Sequence, residues 1–220
     1  MARRAQHGTG GGRAALLRAW RRRQLKDPAF RYLFELPPAD EWVAIDGETT
    51  GLDPRSDEIL SIGAVRIRGH RLLASERLEL LVRPERPVPA ESIRLHHLRE
   101  QDLADGLAPA EAARRVLEFV GPRPLVGYYL DFKLALLDRM VTPLIGIGLP
   151  QPRIEVSALY HDHKFRQLPP YAQQDNVQID LRFATLMDDL GLPWREPHDA
   201  LDKAVMAGLA FIKLRALANA

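Results

Sequence analysis

The sequence predicts an α/β domain with a mixed sheet flanked by helices. Three strand-like stretches come first, at residues 42–46, 58–68 and 72–82. Helical and apolar strand-like segments then alternate to the end of the chain, an order that gives parallel as well as antiparallel pairing. A 220-residue chain with 46% hydrophobic residues can fill one sizeable core, and no apolar run approaches the roughly 18 residues of a membrane span.

Each element has a local reason. The first strand, Trp42-Val43-Ala44-Ile45, is apolar, with β-branched Val43 and Ile45, and runs into a Gly turn. Gly69-His70 supplies the hairpin turn between the second and third strands. Pro84, Pro87 and Pro89 then carry the chain into short helical pieces. Pro109–Val120 reads as an amphipathic helix with Ala112, Val116, Leu117 and Val120 inward. Residues 124–129 form a short apolar strand, followed by a helix over about 131–140. A further strand at 153–156 leads into a helix at 157–162, and residues 167–177, with Pro169-Pro170, read as a surface loop. Asp180 is placed to cap a helix ending at Leu190 and Gly191, and the last helix runs from about 199 to 217.

The organisation is two-part: a basic N-terminal extension over 1–37, a flexible tail plus a helix, and a globular domain over 38–220. Gly8 and Gly10 to Gly12 mark the tail, and Leu16, Leu17 and Trp20 share one stripe of the helix from 13 to about 24. Asp27-Pro28 ends that helix, and Pro37-Pro38 marks the entrance to the domain. Net charge is +2, but the extension carries +7 and the remainder −5. A basic arm on an acidic body suits an anionic partner: nucleic acid, an acidic protein surface or lipid. The chain has no cysteine, which excludes disulfides, thiolate metal sites and cysteine nucleophiles and fits a cytoplasmic location. The apolar segment 14–17 is too short for a signal-peptide core.

The chemistry starts at the end of the first strand. In Asp46-Gly47-Glu48-Thr49-Thr50-Gly51-Leu52 the alternation of side chains puts Asp46 and Glu48 on one face. Two carboxylates this close need a proton or a cation between them, and the usual cation is Mg²⁺ or Mn²⁺ held by oxygen ligands.

This segment resembles the first motif of the DnaQ-like (DEDDh-type) 3′–5′ exonucleases, which have a ribonuclease H-like fold. The resemblance covers about residues 41–217 and implies a ribonuclease H-like mixed sheet flanked by helices. In that family four carboxylates hold two divalent metals that clamp the attacking and leaving oxygens of a phosphodiester, and a histidine deprotonates the attacking water. By resemblance Asp46, Glu48 and His198 are the catalytic residues, with Asp46 and Glu48 the metal ligands; Thr49, Thr50, Leu52 and His96 flank the terminal nucleotide. The third motif, His-x-Ala-x-x-Asp, stands here as His198-Asp199-Ala200-Leu201-Asp202-Lys203. The second, Val-Gly-His-Asn-x-x-Phe-Asp, stands as Val126-Gly127-Tyr128-Tyr129-Leu130-Asp131-Phe132-Lys133. Lys133 and Lys203 therefore occupy the other two ligand positions.

Lysine is scarce in this chain. Only Lys26, Lys133, Lys164, Lys203 and Lys213 stand among its 31 basic residues, and two of them fall on the two ligand positions. Each sits in the first turn of a helix, where the macrodipole disfavours a cation by about 0.3–1 kcal/mol. Asp46 and Glu48 are the counter-charges that offset this cost, with the ammonium groups standing where metal charge would stand. An ammonium does not acidify a bound water as a metal does, so hydrolysis is expected to be weak or absent.

Three functions remain open on the residues. The first is a DnaQ-like domain that binds nucleic acid 3′ ends, single-stranded nucleic acid included, with impaired catalysis and no metal. The second is an Mg²⁺- or Mn²⁺-dependent 3′–5′ exonuclease in which Asp131, Asp199 or Asp202 completes an altered site; the third is a protein-interaction module. Asp131, Asp199 and Asp202 also read as helix-cap residues. Tyr128 and Tyr129 read as core, and His161-x-His163 as a solvated helix end without a third ligand.

Overall fold

The computed structural model describes residues 10–174, 177–194 and 199–219. The chain opens with helix α1 (Gly10–Arg23) and a 3-10 segment, Pro28–Phe34, capped by the Asp27 carboxylate on the Ala29 N–H at 2.9 Å. The sequence placed the domain entrance at Pro37-Pro38, yet Phe30, Leu33 and Phe34 already lie buried in the main core. Their apolar faces are what draw this segment inward.

Strands β1 (Glu41–Thr49), β2 (Ile59–Arg68) and β3 (Arg71–Leu81) form an antiparallel meander. Gly69, at φ +59°, supplies the left-handed turn between β2 and β3. Helices α2 (Ala90–His96), α3 (Glu100–Leu103) and α4 (Pro109–Val120) follow. Strand β4 (Leu125–Gly127) pairs parallel to β1, and helix α5 (Leu130–Ile145) leads to β5 (Arg153–Glu155), parallel to β4. Helices α6 (Val156–Gln167), α7 (Phe183–Asp189) and α8 (Ala200–Ala218) complete the chain. The sheet order is β3-β2-β1-β4-β5, a mixed five-stranded sheet.

Alternation along β1 divides the core. Val43 and Ile45 pack with α4 and α5 in one apolar cluster, whereas Ala44 packs with α7 and α8 in the other. Covering both faces leaves β1 central and buried, and its last residues reach the end of the sheet where α5 and α8 begin.

The elements differ from expectation in four places, the first being helix α1, which begins at Gly10 within the expected tail. Helix α5 continues through Pro143 because Val141 and Ile145 are buried on either side of it. Helix α6 extends to Gln167, and Pro170–Ala172 forms a 3-10 turn within the expected loop. Helix α7 begins at Phe183, not at Asp180: the Asp180 carboxylate accepts the Arg182 N–H at 3.0 Å and the Thr185 hydroxyl at 2.9 Å, closing a turn before the helix starts.

Two glycines set the approach of α8 and α5 to the strand end. A Cβ at Gly63 on β2 would lie 2.2 Å from the Leu201 backbone nitrogen, so only glycine lets the start of α8 rest on the sheet. A Cβ at Gly127 would lie 2.9 Å from the Ile45 carbonyl oxygen and 2.8 Å from the Leu130 side chain.

Candidate active site

Asp46 and Glu48 lie on β1, 7% and 6% exposed. Ionised carboxylates are almost never buried this far without partners. The partners are the two lysines. Lys203 Nζ donates to both oxygens of Glu48, at 2.7 and 2.8 Å. Lys133 Nζ lies 3.2 Å from Asp46 Oδ1 and donates to the Gly47 carbonyl oxygen. The Gly47 N–H closes on Asp46 Oδ1 at 2.7 Å. Burial pushes the Asp46 carboxyl up, while Lys133 and the Gly47 N–H pull it back down.

The geometry has a simple origin. Both lysines occupy the fourth position of their helices, counting from Leu130 in α5 and Ala200 in α8. One turn from the helix start, each side chain can reach back over the strand end. Asp199 caps α8 through the Asp202 N–H at 2.7 Å, in the N-cap and N3 spacing that the sequence suggests.

The cap of α5 differs from expectation. Asp131 does not cap it; its carboxylate is 86% exposed and pairs with Arg153 at 3.1 Å. Tyr129 is the N-cap, in the left-handed region at φ +51°, and its side chain makes no bond to the helix end. The Glu155 carboxylate takes the N–H groups of Tyr129 and Leu130, at 3.2 and 2.8 Å, and also those of Ser157, N–H at 3.1 Å and hydroxyl at 2.8 Å. Glu155 thus caps α5 and α6 together. No local pattern in the sequence announces this, because the pairing depends on β4 and β5 lying side by side.

The remaining candidates separate into site and scaffold. Thr50 is buried, donating to Asp57 Oδ1 at 2.8 Å and accepting the Glu58 N–H at 2.9 Å, so its hydroxyl is spent on the turn. Thr49 donates to the Gly51 carbonyl oxygen at 2.8 Å, and Leu52 is 86% exposed beside it. His96 accepts the Leu98 N–H on Nδ1 at 3.0 Å, which places its proton on Nε2, and burial lowers its pKa. It shares with Glu48, Ser61, Asp199 and Leu201 a cavity of about 290 Å³. Tyr128 donates to the Leu181 carbonyl oxygen at 2.8 Å and stacks on Phe183, a packing role, whereas Tyr129 is exposed. His198 lies outside the described residues.

A divalent ion does not fit the groups present. Mg²⁺ needs octahedral oxygen ligands at about 2.0–2.1 Å, and here the cation-facing oxygens of Glu48 are taken by an ammonium. Asp131 and Asp199 are committed to Arg153 and to the α8 cap, and Asp202 is one residue from Lys203, a turn of about 100° around the helix. Among the described residues no group of three or more His, Asp or Glu side chains could hold a metal.

Comparison with known proteins agrees with this geometry in fold and family. An exonuclease (RNase T) family profile matches residues 43–208. A DNA polymerase III subunit epsilon-like protein of Rhodobacter capsulatus is 34% identical over 176 residues, covering 79% of this chain and 23% of that protein. The DNA polymerase III subunit epsilon of Rickettsia conorii is 30% identical over 180 residues, covering 78% of this chain and 72% of that protein. The chain thus spans about a quarter of the first relative and most of the second. Among solved structures, E. coli exonuclease I in complex with single-stranded DNA superposes with a TM-score of 0.66 at 16% identity, over 82% of this chain and 41% of that one. Exonuclease X in complex with 5′ overhanging duplex DNA superposes with a TM-score of 0.60 at 21% identity, over 81% of this chain and 93% of that one. At these identities the structural likeness speaks for the fold alone.

Proposed function

The chain belongs to the DnaQ-like 3′–5′ exonuclease family, and we propose that it binds nucleic acid 3′ ends without a metal and hydrolyses them weakly or not at all. One observation carries this reading: the Lys203–Glu48 and Lys133–Asp46 pairs.

Members of the family generally depend on divalent metal, which supplies charge at the phosphate and an activated water when bound. In this chain Asp46 and Glu48 offset the charges of Lys133 and Lys203, and the four side chains sum to zero. A phosphodiester can therefore approach the strand end without the repulsion that two bare carboxylates would exert. The lysine side chains are 19% and 27% exposed, and each ammonium has three donors that rotate with it. Those groups hold a phosphate oxygen; they do not lower the pKa of a water toward neutrality. Leu52 and Tyr129, both exposed near this opening, supply apolar surface for a terminal base.

The test is direct. Labelled single-stranded DNA and RNA are incubated with the protein in Mg²⁺ or Mn²⁺, and binding is measured in chelator. Binding that persists in chelator with negligible digestion is expected. Robust digestion lost in Asp46→Ala would overturn the reading. The paired substitution Lys133→Asp and Lys203→Asp is expected to create metal binding, seen as a melting temperature that rises with Mn²⁺.

A further inference from the structure

Among the described side chains of helix α1, Arg18 and Arg21 pin it to the domain. Arg21 donates to the Gly148 carbonyl oxygen at 2.9 Å and to that of Leu149 at 3.3 Å; Arg18 donates to the Glu35 carbonyl oxygen at 2.9 Å and lies over the Phe34 ring. The chain leaving the helix passes so close to Gly146 that a Cβ there would lie 2.9 Å from the Gln24 carbonyl oxygen, and the Lys26 N–H bonds the Ile145 carbonyl at 3.0 Å. Ala19, Trp20, Arg22, Arg23 and Arg31 are exposed to solvent. Arg22, Arg23 and Arg31, with Ala19, Leu25 and Pro28, line a concavity of about 570 Å³, and no carboxylate among the described residues pairs with these three guanidiniums. Beside them Leu16 and Trp20 are 73% and 58% exposed.

This face is remote from the strand-end site. Lys133 lies in the first turn of α5 and Gly146 caps its far end, about 20 Å away at 1.5 Å per residue. The two regions are therefore separate surfaces.

We propose that the arm is a second nucleic-acid site, at which a single strand lays its phosphates on Arg22, Arg23 and Arg31 and a base on Trp20. Guanidiniums without carboxylate partners, set around a concavity, match phosphate oxygens with paired N–H donors. The order of residues selects nucleic acid over a lipid surface. A helix lying in a membrane interface separates a clean apolar face from its basic face. Here Arg23 falls on the same stripe as Leu16 and Trp20, at spacings of seven and three residues, so cation and aromatic ring interleave. Interleaving of that kind serves a strand that offers phosphate and base in turn.

The test uses the full chain, a labelled oligothymidylate and fluorescence anisotropy in chelator, over about 50 to 200 mM salt. The triple variant Arg22→Gln, Arg23→Gln, Arg31→Gln is expected to bind at least tenfold more weakly at the lowest salt. Its log–log salt slope is expected to fall by about 2, since each phosphate contact on a single strand contributes about 0.7. Trp20→Ala is expected to weaken binding by about fivefold or more, the loss of one stacked base. A Lys133→Ala, Lys203→Ala variant, by contrast, keeps the arm's share of the salt slope, which separates this site from the strand-end reading. An unchanged slope in the arginine variant overturns the proposal. So does an arginine variant that keeps oligonucleotide binding and loses binding to phosphatidylserine vesicles or to an acidic polypeptide.

Discussion

Lys203 Nζ holds both carboxylate oxygens of Glu48, at 2.7 and 2.8 Å, on a glutamate side chain that is 8% exposed. Removing the lysine leaves a buried carboxylate without a counter-charge. Breaking a buried pair costs about 3–5 kcal/mol. Because the Lys203 side chain is 27% exposed and water can partly replace it, Lys203→Met is expected to cost about 2–3 kcal/mol by urea unfolding. Adding Glu48→Gln to it is expected to restore at least half of that loss. A double variant no more stable than Lys203→Met alone would mean that the pair is not the source of the effect.

Gly63 gives a second, steric prediction. A Cβ there meets backbone, at 2.2 Å from the Leu201 nitrogen and 2.4 Å from the Ala200 carbonyl carbon, and backbone cannot rotate away. Gly63→Ala must lift the start of α8, which carries Lys203, off the sheet. A loss of about 3 kcal/mol is expected, at the upper end of overpacking costs. The companion Gly69→Ala sits in open space but at φ +59°, so its smaller cost, about 1 kcal/mol, reports backbone strain alone. Denaturant midpoints of the two variants, measured together, check the order.

Much of this was legible from the residues. The Asp46/Glu48 pair is readable because the strand period puts both side chains on one face, and the two lysines because residues 126–133 and 198–203 resemble the family's second and third motifs. The apolar period of Pro109–Val120 points Ala112, Val116, Leu117 and Val120 inward, and all four are buried. Three features were not legible. Phe30, Leu33 and Phe34 stand at i, i+3 and i+4, a helical spacing, but in a proline-led segment of seven residues too short to read as an element, so their burial is a tertiary event. Asp131 has the local chemistry of a cap, but Arg153 holds it outward from the neighbouring strand β5. The Thr50 hydroxyl is bound to Asp57, seven residues on, in a turn that composition does not reveal.

Glu155 yields a prediction that links the fold to the site. Its carboxylate takes backbone N–H groups at the starts of both α5 and α6, and α5 carries Lys133. A single cap is worth about 0.5–2 kcal/mol. Glu155→Ala removes two and is expected to cost about 2 kcal/mol or somewhat more, with Glu155→Gln intermediate because its amide oxygen can still accept. Amide hydrogen exchange is expected to show the loss at both helix starts. Protection lost in α6 alone would show that α5 does not depend on this residue.

The last prediction concerns acid. Asp189, at the end of α7, accepts from Lys164 Nζ at 3.0 and 3.1 Å and from the Tyr160 hydroxyl at 3.1 Å. These bonds, the Lys164 one foremost, hold its carboxyl below the usual range. A carboxylate whose folded pKa is depressed adds stability that is fully present above its unfolded pKa of about 3.9 and is lost as pH falls through the folded value. Both partners are about a third exposed, so the pair is worth about 0.5 kcal/mol. Lys164→Met is therefore expected to be slightly less stable than the parent at neutral pH. The difference is expected to close below about pH 4, as Asp189 takes up a proton in both proteins. Urea titrations of the two across that range check the sign: a gap that widens in acid would show that Asp189 is not the group that Lys164 stabilises.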